Sequence, residues 1–538
     1  MTNPKASEAE AVDLDVVIVG AGFAGMYLLH RLRNLGLSAR VVEAGSGVGG
    51  TWYWNRYPGA RCDIESMQYS YQFDDDLQQN WEWSERYSPQ AEILAYAEHV
   101  ADRFDLRRDI QFNTRIEAAR YDEAASRWTL QAVDASELVA RYCIMATGCL
   151  SVPNWPKIEG LQTFSGPIHH TALWPHEKVS FAGKRVAVVG TGSSAIQSIP
   201  LIAQEADHLY VFQRTANYSV PAHNGPLDPA YVEEIKSEYP AMRARAKTTH
   251  PGIDGPFSKN SALDATPAER RAEYERRWQE GGLTFMGAYG DLILDKKAND
   301  TAANFVRERI HDIVHDPQVA EVLCPKNIIG GKRLCVDSNY YATFNRDNVT
   351  LVDVAQQPIE GVTETGVRAD GREYAVDMLV VATGFDAMTG AIMNVDIRGR
   401  GDVSLRQKWS GGPSSYLGLA MAEFPNLFTV TGPGSPSVFT NMLPTIEQHV
   451  EWISECLAYM KAHDYTEIEA ESKAEKAWWE HVQSVAGKGL KATTDSWYLG
   501  ANVAGKARVF MPYYGGFPEY CRICEQVVAD DFEGFAKS

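Results

Sequence analysis

The stretch DVVIVGAGFAGMYLLHRL, residues 15–32, decides the fold. Its first five residues are typical of a buried parallel strand, and the leucine spacing at its end is typical of the apolar face of a helix. Three glycines lie between the two at GxGxxG spacing: Gly20, Gly22 and Gly25. Such glycines let the backbone approach a pyrophosphate, while the helix N-terminus stabilises its charge. The stretch predicts a Rossmann-like dinucleotide-binding unit.

An acidic residue strengthens this interpretation. Residues 39–42 predict the second strand, and Glu43 follows it directly, 18 positions after Gly25. A carboxylate near this position binds the ribose hydroxyl of a dinucleotide. Because strand, turn, helix, strand and acid occur in order, the alternative of a glycine-rich turn without a ligand is weak.

A second copy of the pattern occupies residues 186–215. A β-branched run leads into Gly190-x-Gly192-x-x-Ala195, and alanine is tolerated at the third position. The next strand leads to Arg214, where an acid would otherwise bind the 2′-hydroxyl. Arginine suits a 2′-phosphate instead, although a solvated strand end is the simpler alternative. We therefore expect FAD in the first unit and NADPH in the second.

Length and charge narrow the class of protein. The chain has 538 residues, which is enough for two to four domains. Its net charge of −19 argues against nucleic-acid binding and is explained most simply by solubility. No apolar run approaches the roughly 20 residues that cross a bilayer, and the first dozen residues lack the apolar core of a signal peptide. We expect a cytoplasmic protein.

The eight cysteines do not suggest a disulfide scaffold. Cys521-x-x-Cys524 has redox or metal spacing, but we favour two thiols on neighbouring turns of a C-terminal helix. No HExxH motif occurs, so no metal is expected.

The fold class is predicted as α/β, with two Rossmann-like domains and a helical insertion. Two apolar strands end in the tripeptide ATG, at residues 146–148 and 382–384, and the second marks the return of the chain to the first domain. The predicted boundaries are a disordered N-terminus 1–14, FAD domain 15–150 and 385–538, NADPH domain 151–220 and 326–384, and helical insertion 221–325.

Two further stretches support a flavoprotein. GSGVGGTWYWNRYPGARCDIES, residues 45–66, carries aromatic residues that can lie against a flavin ring, with a packed surface loop as the alternative. FSGPIHHTALWP, residues 164–175, lies between the two glycine turns and has the spacing Phe164-x-Gly166-x-x-x-His170-x-x-x-Trp174-Pro175.

That spacing resembles the fingerprint of the type I Baeyer–Villiger monooxygenases, especially the phenylacetone, steroid and acetone monooxygenase group. The likeness extends over most of the chain through GGTWYWNRYPGARCDIES, GTGSSA, VFQRT, YYATFNRDNV, ATGFDAMTG, GPGSPS and SWYLGANV. It implies oxidation of a ketone to an ester or lactone with FAD, NADPH and O2, through a flavin C4a-peroxide, as in enzymes of the EC 1.14.13 type.

The resemblance also implies roles for individual residues. Arg333 stabilises the peroxide, and Asp63 orients Arg333. Lys332 contacts the NADPH phosphate, Trp497 lies near the nicotinamide cofactor, and Met442 falls on a loop facing the substrate. We interpret His170 and Trp174 as structural residues.

The remaining candidate cofactor contacts follow from the same motifs. Those on the FAD or flavin side are Gly20, Gly22, Phe23, Gly25, Glu43, Gly50, Thr51, Trp52, Asp63, Tyr69, Ile116 and Met442. Those on the NADP side are Arg61, Cys62, Gly190, Thr191, Gly192, Ser193, Ser194, Ala195, Gln197, Arg214, Thr215, Lys332, Arg333 and Trp497.

Three alternatives stay open at the level of sequence. One is a flavin N- or S-monooxygenase, another a disulfide reductase built on Cys521 and Cys524, and the third a non-enzymatic FAD- and NADP-binding redox sensor. The expected partners are a small ketone and O2, without nucleic acid or membrane, in a monomer or weak oligomer. The sequence does not choose among linear, aromatic, cyclic and steroidal ketones.

Overall fold

The structure is a computed structural model that describes residues 13–538. Strands and helices are mixed along this range, as expected for an α/β fold. Its strands are β1 Asp13–Val19, β2 Ala39–Val42, β3 Ile110–Gln111, β4 Ile116–Asp122, β5 Arg127–Ala132, β6 Glu137–Met145, β7 Ile168–His170, β8 Arg185–Val189, β9 His208–Gln213, β10 Ser219–Pro221, β11 Cys335–Asp337, β12 Val349–Asp353, β13 Gly361–Val362, β14 Gly366–Ala369, β15 Arg372–Ala375, β16 Met378–Val381, β17 Asp396–Arg398, β18 Leu427–Thr429, β19 Ile468–Ala470 and β20 Phe535–Lys537.

The helices between them range from single turns to the 21 residues of α13. They are α1 Phe23–Asn34, α2 Thr51–Trp54, α3 Asp75–Asn80, α4 Gln90–Arg103, α5 Ser193–Glu205, α6 Pro229–Lys247, α7 Pro267–Glu280, α8 Lys296–Ile313, α9 Pro317–Leu323, α10 Tyr340–Thr343, α11 Gly390–Met393, α12 Leu405–Lys408, α13 Met442–Ala462, α14 Ser472–Ala486 and α15 Phe517–Ala529.

The first large sheet has the order β17-β4-β5-β6-β1-β2-β3, with β18 also paired to β6. Strand β1 runs parallel to both β2 and β6 at the centre. Its residues 16–18 are fully buried, because Val16 and Ile18 pack in one core with α1 and α13, while Val17 packs in another with side chains of β4 and β5. Strands β17 and β18 come from the C-terminal third of the chain, so that part packs with the first glycine turn.

The second large sheet is entirely parallel, in the order β12-β9-β8-β16-β7. Strand β7 lies inside the sequence fingerprint and pairs with β16, so the fingerprint forms an edge of this sheet. Both sheets have the parallel strand–turn–helix arrangement predicted from the sequence, and the predicted fold class is confirmed.

Residues 221–325 are mainly helical, with α6 to α9 separated by loops. Helix α7 begins with a capping box in which Thr266 and Glu269 bond to each other's backbone N–H groups. Tyr239 of α6 is buried in the core of the first sheet, whereas Phe305 of α8 is buried in that of the second. This segment therefore packs against both cores, and the predicted domain boundaries stay a prediction.

The predicted disordered start of the chain lies outside the described residues, except at its end. Asp13 and Leu14 belong to β1 and pair with Val139 and Ala140, so the strand begins two residues before its predicted start. Within residues 13–538, no helix is long and apolar enough to cross a membrane.

Candidate active site

A bidentate ion pair joins Arg333 to Asp63, which stands 270 positions earlier. The Nε of Arg333 donates to Oδ2 of Asp63 at 2.6 Å, and its Nη2 donates to Oδ1 at 2.7 Å. The third nitrogen, Nη1, donates to the backbone carbonyl of Val438 at 2.8 Å. Every nitrogen of the guanidinium is thus held, so its plane has a fixed direction.

The electrostatics of this pair favour a permanent cation. Burial alone would lower the pKa of Arg333, but the charge and hydrogen bonds of Asp63 raise it above its ordinary value. The side chains of Arg333 and Asp63 remain 28% and 21% exposed, so the pair is not sealed from the adjoining space. The arrangement can stabilise a negative charge without exchanging a proton.

The first glycine turn leaves no room for a side chain at Gly20 or Gly25. Gly20 has φ +110°, and a Cβ there would lie 2.6 Å from the carbonyl oxygen of Ala146. A Cβ on Gly25 would lie 1.9 Å from the oxygen of Gly20. These contacts press the start of α1 against β1 and direct its free N–H groups outward, which fits a pyrophosphate.

The Glu43 carboxylate is buried behind this turn. It accepts hydrogen bonds from the backbone N–H of Ala21 at 2.8 Å and of Gly45 at 2.7 Å. Each oxygen retains acceptor capacity, so ribose hydroxyls can also bond there. The first turn and its acid together fit the adenosine diphosphate part of FAD.

Residues 50–52 and Tyr69 adjoin the same turn. Gly50 approaches Gly22 so closely that a Cβ on Gly50 would lie 2.8 Å from the Gly22 Cα. Thr51 and Trp52 begin α2, and the Trp52 indole N–H donates to the Tyr69 hydroxyl at 3.2 Å. Gly50, Thr51, Trp52 and Tyr69 therefore lie beside the turn at residues 20–25, whereas Asp63 pairs with Arg333.

The second glycine turn has the same form. Gly190 has φ +111°, and its Cβ would lie 2.5 Å from the carbonyl oxygen of Ala382. A Cβ on Gly192 would meet nothing within 4 Å, so the N-terminus of α5 faces open space. The Thr191 hydroxyl donates to the carbonyl of Thr215 at 2.9 Å, which ties the turn to the end of β9.

Side chains at the start of α5 connect the second turn to the Asp63 region. Gln197 accepts a hydrogen bond from the Tyr57 hydroxyl at 2.9 Å and donates to the carbonyl of Arg61 at 3.1 Å. The hydroxyl of Ser193 lies 3.2 Å from the thiol of Cys335. Ser194 and Ala195 lie in the same first turn of α5.

Two cations adjoin this turn. Burial and then the charge of Arg214 lower the pKa of Lys332, while Asp495 raises it. Arg214 is exposed at the end of β9, next to Thr215. Two cations that repel each other at the edge of a dinucleotide turn fit the 2′-phosphate of NADPH.

Aromatic and apolar side chains form a cluster next to Arg333, whose Nη1 bonds the carbonyl of Val438 in that cluster. Phe439 and Tyr498 have ring centres 4.5 Å apart, and Trp497 contacts Tyr498. Met442 packs against the same cluster, but it is the first residue of α13 after the Asn441 cap, not part of a loop as expected from the sequence. This side of the site is therefore largely apolar.

Three candidates from the sequence belong to elements outside the cluster next to Arg333: Ile116, Cys521 and Cys524. Ile116 begins β4 and packs in a separate core with Val42. Cys521 and Cys524 occupy neighbouring turns of α15 as free thiols. Within residues 13–538, no group of three or more His, Cys, Asp or Glu side chains is arranged so that it could hold a metal ion.

His170 and Trp174 lie in the fingerprint at the edge of the second sheet. The Nδ1 of His170 accepts a hydrogen bond from the backbone N–H of Ala172 at 3.0 Å. Trp174 is buried against Phe181 and His169. Their proposed structural role stays a prediction, and these contacts are compatible with it.

Sequence reasoning missed three groups around Arg333: the Val438 carbonyl, Tyr498 and Lys491. A backbone carbonyl carries no side-chain signal. Tyr498 stands next to the predicted Trp497 within SWYLGANV. Lys491 lies in an ordinary polar stretch, and only the fold brings it to the site.

Comparisons with known proteins agree with this geometry. A family described as pyridine nucleotide-disulphide oxidoreductase matches residues 17–251. A Baeyer-Villiger monooxygenase of Pseudooceanicola batsensis is 42% identical over 512 residues, covering 94% of this chain and 93% of that protein. A phenazine N-monooxygenase of Lysobacter antibioticus is 41% identical over 525 residues, covering 97% and 96%. The solved structure of an oxidized steroid monooxygenase bound to NADP has a TM-score of 0.94 at 51% identity, covering 98% and 99%.

Proposed function

Because the chain belongs to the Baeyer–Villiger monooxygenase family, we propose that Arg333 is the cation on which its oxygen transfer depends. The enzyme uses FAD and NADPH to oxidise a ketone to an ester or lactone. The single observation that carries the role of Arg333 is its bidentate pairing with Asp63, with a further bond to the Val438 carbonyl.

The bound cofactors supply hydride transfer and the activation of dioxygen. The chain supplies binding, orientation and charge. The turn at residues 20–25 and Glu43 hold FAD, while the turn at 190–195, Arg214 and Lys332 hold NADPH.

Arg333 determines which form of oxygen can react. An oxygen nucleophile must carry negative charge to attack a carbonyl, whereas its protonated form reacts better with amines and sulfides. A guanidinium with a raised pKa favours the anion and does not donate its own proton. Asp63 and the Val438 carbonyl keep that charge in one direction, so no reorganisation is needed during the reaction.

The apolar side of the site favours the body of a ketone and excludes water. Phe439, Met442, Tyr498 and Tyr514 belong to one cluster beside Arg333. We propose that they contact the hydrocarbon part of the substrate. A panel of linear, cyclic, aromatic and steroidal ketones, with one aromatic amine and one sulfide added, tests both this pocket and the preference for carbonyl carbon.

The test of the central role is Arg333→Ala. We expect the variant to accept hydride from NADPH without oxygen, because the hydride step does not need this cation. In air, ester formation should fall by about two to three orders of magnitude, as for loss of one preorganised oxyanion contact. Stopped-flow absorbance follows the flavin, and gas chromatography follows the ester.

The matched control is Arg372→Ala, which removes an exposed arginine from β15. It should behave like the unchanged enzyme. Ester formation by Arg333→Ala at the rate of this control would exclude the proposed role.

Finer properties are part of the same proposal. We propose that the enzyme works in the cytoplasm, as a monomer or weak oligomer. The large apolar side chains that are exposed in the described part of the chain come from separate segments: Val133, Trp155, Leu173, Leu201, Tyr231, Leu263 and Leu294. Exposed apolar side chains in such numbers are ordinary on the surface of a monomer. Sedimentation velocity over a range of concentrations tests the oligomeric state.

A further inference from the structure

A lysine from the C-terminal region reaches the loop that carries Arg333. Lys491 lies in the 3-10 helix Leu490–Thr493, and its Nζ donates a hydrogen bond to the carbonyl of Gly330. The same nitrogen lies 5.2 Å from the ring centre of Phe439 and 5.8 Å from that of Tyr498. Ammonium groups in this position are stabilised by the negative faces of the rings.

Gly330 and Gly331 also pack tightly against side chains of other segments. A Cβ on Gly331 would lie 2.3 Å from Oγ1 of Thr494 and 2.9 Å from its Cβ. A Cβ on Gly330 would lie 3.1 Å from the terminal methyl of Met286. Both glycines are therefore pressed between other elements, and residues 491–494 form one wall of that space.

We propose that Lys491 is a positioning residue for the oxygen-transfer step, which clamps residues 330–333 and so fixes the direction of Arg333. The inference rests on the proposed function of Arg333. Lys491 acts through the Gly330 carbonyl and through its charge, and it is not assigned a contact with substrate or cofactor.

The charge of Lys491 makes the clamp sensitive to pH. Burial, and then repulsion by Arg333, lowers the pKa of Lys491 to about 8. Below this pH the ammonium interacts with both rings, and above it the neutral amine keeps a weaker hydrogen bond and loses the attraction to the rings. The clamp should therefore loosen as the pH rises through about 8.

Three titratable groups interact with Lys491, namely Arg333, Tyr498 and His250, and none of them changes charge in a way that imitates this effect. Arg333 remains a cation, because its pKa is raised with Asp63 as its partner. Burial raises the pKa of Tyr498 on the adjoining 3-10 helix, so it stays neutral. Burial, and more weakly Lys491, lowers the pKa of His250 before α7, so it is already neutral near pH 8.

Lys491→Met tests the clamp, because methionine keeps an unbranched apolar stem between the rings and removes the donor and the charge. In the FAD-loaded enzyme without ketone, amide hydrogens of residues 328–334 should exchange about tenfold faster. Ester formed per NADPH consumed should fall by about tenfold, because a displaced guanidinium stabilises charge less well. The decline of ester formation near pH 8 should disappear.

Two further variants make the result specific. Lys488→Met removes an exposed lysine three residues earlier and should change neither exchange nor the pH profile. Lys491→Arg keeps a cation whose pKa is far higher, so it should retain ester formation at pH 7 and move the decline to higher pH.

Unchanged exchange and an unchanged pH profile in Lys491→Met would overturn the inference. If Lys491→Met does not bind FAD, the Lys491→Arg variant tests the inference instead. A decline of ester formation that stays near pH 8 in Lys491→Arg would overturn the inference. These outcomes differ from failure of the proposed function, which would appear as normal ester formation by Arg333→Ala.

Discussion

Lys332 and Arg333 are neighbours in sequence, but their side chains lie in different parts of the site. Arg333 is held by Asp63 and the Val438 carbonyl, whereas Lys332 lies near Arg214 at the second glycine turn. Consecutive residues in an irregular loop can point in nearly opposite directions, so one short segment reaches both cofactor regions. Replacing Arg333 should therefore affect oxygen transfer, whereas replacing Lys332 should affect the interaction with NADPH.

Arg214→Ala tests the nucleotide side of this division. Loss of a charge-assisted contact to the 2′-phosphate is worth about 1.5–3 kcal/mol, so kcat/KM for NADPH should fall roughly ten- to a hundredfold. The value for NADH, which lacks that phosphate, should change little. Initial rates with each cofactor give both numbers.

The control for this prediction is Arg185→Ala, which removes an arginine from the start of β8 in the same sheet, where it pairs with Asp377. This control should leave kcat/KM unchanged for both NADPH and NADH. An equal loss with NADPH and NADH in Arg214→Ala would show that this residue does not distinguish them.

The sequence identified some residues of the site by local pattern and others by resemblance alone. Gly20, Glu43 and Arg214 stand at fixed offsets within strand–turn–helix units, and local physics accounts for each. Arg333 has no such pattern, because its partner Asp63 lies 270 positions away. Lys491 was missed for the same reason, since its partners Gly330 and Phe439 belong to other segments.

At the level of elements, the two parallel units were predictable because buried strands read as continuous apolar runs. The predicted strands near residues 15–19, 186–189 and 378–381 lie within β1, β8 and β16. The edge position of β7 was not predictable, because its three residues include two histidines and have no apolar periodicity. The strand conformation of β7 results from its hydrogen-bonded pairing with β16, which is distant in sequence.

Gly20→Ala tests how far the first turn depends on its backbone. The residue has φ +110°, and the added methyl would meet the carbonyl oxygen of Ala146 at 2.6 Å. Strain of about 1–3 kcal/mol, together with a displaced turn, should weaken FAD binding by at least about tenfold. The ratio of flavin absorbance to protein absorbance after purification measures the loss.

Gly183→Ala is the matched control, since Gly183 also has positive φ, at +70°, and a Cβ there would meet nothing within 4 Å. It should bind FAD normally, with a small loss of stability. Normal FAD content in Gly20→Ala would contradict the close approach of β1 and residue 146.

At the scale of the whole molecule, a buried carboxyl joins distant parts of the chain. Glu447 of α13 is 5% exposed and accepts hydrogen bonds from the backbone N–H groups of Gln72 and Phe73, at 2.5 and 3.1 Å. Burial, with Glu451 nearby, raises its pKa from 4.5 to about 8, against opposing effects of Gln72 and Arg243.

This shift predicts a pH-dependent stability. Between pH 4.5 and about 8 the folded protein keeps the proton of Glu447 and the unfolded chain releases it, so the contribution of this group to stability falls as the pH rises through that window. Glu447→Gln, which is neutral throughout, should melt roughly 2–4 °C higher than the unchanged protein at pH 9 and match it near pH 5. Differential scanning fluorimetry at both values measures this.

Glu480→Gln, at an exposed position of α14, is the control and should show no such dependence. A variant at 447 that melts lower at pH 9 would mean that the carboxyl is ionised and stabilising in the folded state.

The hydrogen bond from the Arg333 side chain to residue 438 is accepted by the main-chain carbonyl of that residue. The guanidinium therefore keeps this anchor whatever side chain evolution places at Val438, which adjoins the apolar wall. Substrate range can then diversify at this position while the oxygen chemistry stays constant. Libraries randomised at residue 438 should yield altered ketone selectivity more often than inactive protein.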